Sequence, residues 1–110
     1  MVKIGEQEKA KITTIEELRT FLSRYFAETG KRVRVMLYGS RARGTHQPHS
    51  DVDLAIIGEA DMVTVAELKE ILEHSCLPHK VDIALFAHLP GSVQEEVLKE
   101  GQTWIDFTKP

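Results

Sequence analysis

The spacing of apolar positions changes several times along this chain, and each change marks a new element. Ile15, Leu18, Leu22, Tyr25 and Phe26 recur at helical spacing. Ahead of them, Thr13 and Thr14 form two overlapping capping boxes with Glu16 and Glu17, and Gly30 supplies the stop. The pattern predicts a helix over about residues 14–29, with its apolar stripe in the core. Val33 to Tyr38 is a β-branched and apolar run ended by Gly39, which predicts a first strand. Asp51 to Ile57, ended by Gly58, predicts a second. Thr64 and Glu67 read as the capping box of a further helix, with Val65, Leu68, Ile71 and Leu72 inward and Pro78 marking its limit. Val81 to Phe86 predicts the third strand. Ser92 and Glu95 read as the cap of a last helix, with Val93, Val97 and Leu98 inward and Gly101 at its end. Gln102 to Phe107 predicts a short edge strand carrying Trp104. Residues 1–12 are polar and aperiodic, and read as a loose arm.

Two of these strands share a wording. Val52-Asp53-Leu54-Ala55-Ile56 and Val81-Asp82-Ile83-Ala84-Leu85 match type for type. Strand side chains alternate, so in each the branched residues take one face and an aspartate followed by alanine takes the other. Asp51 and Asp53, spaced i, i+2, project from one face. An isolated ionised aspartate on a half-buried strand is costly unless it is paired or binds a cation. Three carboxylates on one face repel, and a dication resolves the repulsion.

The same residues set the expected topology. Gly39 and Ser40 end the first strand, while Asp51 and Asp53 open the second, so the two must run antiparallel to share a site. Asp82 also lies near a strand start and a helix intervenes, so the second and third strands should be parallel. The expected fold is α/β (α+β): a small mixed sheet with helices on one face and the acids on the other. A doubly wound dinucleotide fold, which binds outside the carboxyl ends of its strands, is disfavoured.

Composition narrows the function. The chain has 110 residues, room for one domain with a modest core. A net charge of −3 leaves no broad basic face for a nucleic-acid backbone. No apolar run approaches the ~20 residues that span a bilayer. The N-terminus has acidic residues where a signal peptide would be apolar, and a single cysteine, Cys76, excludes an internal disulfide. The expectation is a cytoplasmic protein. Cys76 reads as a small core residue, His46 and His49 as a surface loop, and His74 and His79 as structural or exposed.

Gly39-Ser40, ten residues and then Asp51-Val52-Asp53 resembles the signature of the DNA polymerase beta superfamily of nucleotidyltransferases. The Gly-Ser-Arg-Ala-Arg-Gly wording, the length and the later Asp82 strand are similar to its small branch, the minimal nucleotidyltransferases (MNT). The resemblance implies a polymerase-beta-like fold and transfer of AMP from ATP, with two magnesium ions, or manganese in their place. Asp51, Asp53 and Asp82 would hold the ions and carry the catalysis. Gly39, Ser40 and Arg43, with Arg41 in a lesser role, would bind the nucleotide's phosphates. MNT proteins occur beside HEPN-domain ribonuclease toxins and act as antitoxins by adenylylating them, so a HEPN protein is the implied partner.

The chain stops at Pro110 without an acceptor-binding domain, which leads us to expect the acceptor on another molecule or subunit, in a homodimer or hetero-oligomer. Two other readings stay open: a binding subunit that neutralises a HEPN partner without catalysis, and a dimeric nucleotidyltransferase of small, antibiotic-type molecules.

Overall fold

In the computed structural model, which describes residues 12–108, the first helix (α1) spans Ile15–Thr29. Of the two overlapping caps, Thr14 and Glu17 form theirs: Thr14 Oγ1 accepts from the Glu17 N–H at 3.1 Å. The Glu17 carboxylate reaches back one residue further than the pattern requires, accepting from the Thr13 N–H at 3.0 Å. Gly30 closes the helix in the left-handed conformation at φ 69°. Leu18, Phe21, Leu22, Tyr25 and Phe26 are its buried stripe.

Among the described residues, β1 (Val33–Tyr38), β2 (Val52–Gly58), β3 (Val81–Leu85) and β4 (Gln102–Asp106) form one sheet in the order β3-β2-β1-β4. β1 is antiparallel to β2 and β4, and β2 is parallel to β3, which makes the sheet mixed as the placement of the acids required. A one-turn helix, α2 (Ser40–Arg43), follows β1. α3 (Met62–Glu73) makes the crossover between the parallel strands, and α4 (Gly91–Glu100) precedes β4.

Period-two alternation sorts the strands into two faces. Val33, Val35, Leu37, Val52, Leu54, Ile56, Ile83 and Leu85 join the stripes of α1 and α3 in the main core. Each fully buried side chain of this type contributes about 1.5–3 kcal/mol. The other face carries Met36, Tyr38 and Ala55, and there the fully buried Val97 of α4 packs, with Val93 beside it. The two longer helices thus cover one face, and the short last helix covers part of the face that bears the aspartates.

Several expectations change in detail. The cap of α3 is Asp61, whose carboxylate accepts from the Thr64 N–H at 3.0 Å. Thr64 itself lies inside the first turn and is buried, so its own box with Glu67 does not form. α4 starts at Gly91, with Pro90 at the cap position and no side-chain cap, so Ser92 does not serve there. Leu98 points outward and is 68% exposed. Phe86 leaves the third strand for a 3-10 turn, Phe86–His88, and Asp51 precedes β2 rather than opening it.

Cys76 is exposed rather than in the core. Ile12, read with the arm, is part of the core, while residues 1–11 lie outside the described residues. Trp104 and Phe107 pack against the main core, with the Arg19 guanidinium 5.9 Å over the Trp104 ring. Among the described residues no helix is long and apolar enough to cross a membrane.

Candidate functional site

Gly39 is the joint between β1 and α2, and its φ of 79° and ψ of −156° lie where an L side chain is strained. A Cβ at this position would stand 2.5 Å from Asp53 Oδ2 and 3.4 Å from Asp53 Cγ. The Asp53 carboxylate therefore rests directly against the main chain of the Gly-Ser turn. Only a residue without a side chain permits that approach. The turn is closed by the Ala42 and Arg43 N–H groups donating to the Gly39 carbonyl at 3.1 and 3.2 Å. Gln102 of β4 ties it down from outside, donating from Nε2 to the Ala42 carbonyl at 3.0 Å.

Strand register brings the acids together. Asp53 lies opposite Tyr38 across the antiparallel pair and beside Asp82 across the parallel pair. Asp51 stands two residues before Asp53, at the exposed entrance to β2.

The electrostatics follow from that placement. Burial raises the Asp53 carboxyl above its usual range, the charges of Asp82, Asp51 and Glu96 raise it further, and Arg43 opposes them. The Tyr38 hydroxyl is pushed up to about 12 by burial and then by Asp53, Asp82 and Glu96. One side chain is thus within the field of three others of its own sign. That is the donor chemistry of a hard divalent cation, which takes carboxylate oxygens and completes its shell with water and phosphate. Among the described residues, however, no three acidic, histidine or cysteine side chains are already gathered closely enough to hold an ion. The sheet sets Asp53 beside Asp82 in register, with Asp51 two residues before it and its charge felt at Asp53.

The two arginines of the turn part company. Arg43 Nη1 donates to Glu96 Oε2 of α4 at 2.9 Å, and it is the cation that acts on Asp53. Arg41 turns to the following loop: Nε and Nη2 donate to the Ser50 carbonyl at 3.1 and 3.0 Å, and Nη2 lies 3.2 Å from His79 Nδ1. Its guanidinium fixes the loop that leads into Asp51. His46 and His49 are exposed on that loop.

Glu96 is the site residue that sequence reasoning missed. It lies 53 positions from Arg43, in a helix whose pattern reports only its buried side. No local spacing connects the two.

A family model described as polymerase beta nucleotidyltransferase matches residues 20–106, from within α1 to the end of β4. The chain belongs to the polymerase beta nucleotidyltransferase family. A curated relative from Haemophilus influenzae, named a probable protein adenylyltransferase, MntA, is 37% identical over 67 residues, covering 59% of each protein. The chain thus matches about three fifths of that relative's length.

Among solved structures, one described as a minimal nucleotidyltransferase is 30% identical, covers 83% of this chain and 96% of its own, and superposes with a TM-score of 0.59. A point mutant of the toxin–antitoxin MntA–HpeT is 25% identical over 83% of this chain and 72% of its own, with a TM-score of 0.60. For this member of the polymerase beta family, the mixed four-stranded sheet is an architecture shared with the minimal nucleotidyltransferase it superposes on.

Proposed function

We propose that this chain is a metal-dependent nucleotidyltransferase that moves AMP from ATP to a hydroxyl group of a partner protein, acting as the antitoxin of a HEPN/MNT-type pair. The observation that carries the reading is the Asp53 carboxylate seated on Gly39 with Asp82 beside it in register. It supports the reading because it brings the Gly-Ser turn against Asp53, with a second acid alongside. Membership of the family supports the reaction class, and likeness to MntA favours a protein acceptor and an antitoxin role.

Asp51, Asp53 and Asp82 would hold magnesium, or manganese. When bound, the ions stabilise the charge that develops on the attacking and leaving oxygens. The Gly39-Ser40 turn offers main-chain N–H groups and a hydroxyl to the terminal phosphates. Arg43 presents a guanidinium, which suits phosphate oxygens. The acceptor oxygen forms a bond to the α-phosphorus while the bond from that phosphorus to the bridging oxygen breaks, and pyrophosphate leaves. Asp82, exposed on the edge strand β3, would take the acceptor's proton.

The test is to incubate the chain with the product of its neighbouring gene, ATP and magnesium, and to weigh the partner. Mass increments of whole AMP units are expected, and they vanish with Asp53→Asn. An unmodified partner would overturn catalysis as the function.

A second reading, neutralisation by complex formation alone, draws on the carboxylates' not being pre-gathered. If a double Asp51→Asn, Asp53→Asn variant still protects cells fully at native expression, that second reading replaces the first.

A further inference from the structure

The Arg43–Glu96 pair has a geometry that suits a holder more than a lock. A carboxylate and a guanidinium commonly meet through two parallel hydrogen bonds. Here one is made, from Nη1 to Oε2 at 2.9 Å, and both side chains keep part of their surface in water, 39% for Arg43 and 31% for Glu96. The remaining N–H groups of the Arg43 fork have no hydrogen bond to the described residues. Glu96 is itself rigidly based. Its neighbour Val97 is fully buried against the aspartate-bearing face of the sheet, and the charge of Glu96 reaches both Asp53 and Tyr38.

We propose that Glu96 is a positioning residue for nucleotide binding: through one hydrogen bond it fixes the Arg43 guanidinium over the site and leaves the rest of its donors to the triphosphate. This deepens the nucleotidyltransferase reading and rests on it.

The physical gain is entropic. Arg43 ends a four-residue helix and would otherwise sample many rotamers, and ordering such a side chain on binding costs affinity. A carboxylate anchored on α4 removes that cost beforehand. Its charge works in the opposite direction, because a fourth acid beside Asp51, Asp53 and Asp82 repels the phosphates. The two effects respond differently to substitution. Glutamine keeps an acceptor oxygen for Arg43 Nη1 and removes the charge, whereas alanine removes both.

The experiment is calorimetric titration of the full chain, and of Glu96→Gln and Glu96→Ala, with a non-hydrolysable ATP analogue plus magnesium, and in parallel with inorganic tripolyphosphate plus magnesium. Glu96→Ala is expected to bind both probes about two- to tenfold more weakly. Glu96→Gln is expected to bind them at least as tightly as the unsubstituted chain, and the melting temperatures of the three should agree within a few degrees. Equal or tighter binding by Glu96→Ala would overturn the proposal and make Glu96 a competitor of the triphosphate. Equal weakening by both variants would also overturn it. Failure of the unsubstituted chain to bind either probe would sink the nucleotidyltransferase reading itself, a result distinct from any difference between variants.

Discussion

At the scale of single residues, what the chain states locally and what it leaves to folding separate cleanly. The Gly-Ser pair, the paired aspartates and Asp82 stand out in the sequence because strand alternation and a glycine stop are local rules. That Asp53 lies on Gly39 itself depends on pairing between β1 and β2, and only the register shows it. Gly39→Ala tests this contact. The new Cβ would meet the Asp53 carboxylate, and a left-handed backbone with a side chain costs about 1–3 kcal/mol. Displacing a catalytic group by about 1 Å costs on the order of 100-fold in rate. Urea denaturation should therefore show a modest loss of stability, while the proposed adenylyl transfer should fall by about two orders of magnitude. Arg41 and Arg43 look interchangeable in the sequence and are not so in the fold. Arg41→Ala should speed amide exchange through residues 44–50, the loop it fixes, whereas Arg43→Ala should leave that loop protected and weaken nucleotide binding.

At the scale of elements, every predicted strand and every predicted helix is present, and the differences lie at the ends. The capping-box pattern fails twice, at Thr64 and at Ser92, for one reason. The pattern names residue types and not the turn in which the helix actually starts. Asp61, three residues before Thr64, is a stronger acceptor and claims the Thr64 N–H first. Pro90 takes the cap position of α4 and its carbonyl accepts from the Val93 and Gln94 N–H groups at 2.9 Å, so the helix starts without a side-chain cap. The consequence is a contrast in stability. Asp61→Ala should lower the midpoint of chemical denaturation, and Ser92→Ala should stay within about 0.5 kcal/mol of the unsubstituted chain by the same measurement. Leu98 failed as a core residue because a helix on the aspartate face meets the sheet along a narrow line, through Val93 and Val97. Apolar spacing alone does not give the width of that contact.

At the scale of the whole molecule, the sheet that assembles the site also opposes its own stability there. Asp53 is held with a carboxyl raised by burial and by Asp82, Asp51 and Glu96, so folding favours its protonated form. At a pH below the unfolded carboxyl's value near 3.8 both states keep the proton and no penalty exists. As pH climbs from there through the raised folded value, the unfolded chain releases its proton first and stability falls. Beyond that window the full penalty remains at neutral pH. Asp53→Asn should therefore raise the melting temperature of the ligand-free chain by a few degrees at pH 7, with the advantage fading toward pH 4. On the proposed function, a bound dication and triphosphate would remove the same penalty in the unsubstituted chain, and at one hundred times the dissociation constant such a ligand adds about 2.7 kcal/mol. The two melting curves should then cross. Without ligand the asparagine variant melts later, and with saturating magnesium and a non-hydrolysable ATP analogue the unsubstituted chain overtakes it. Were Asp53 a structural acid with no ligand to meet, the substitution would still stabilise, but adding magnesium and nucleotide would move neither curve, so the crossing reports the site and not merely the fold.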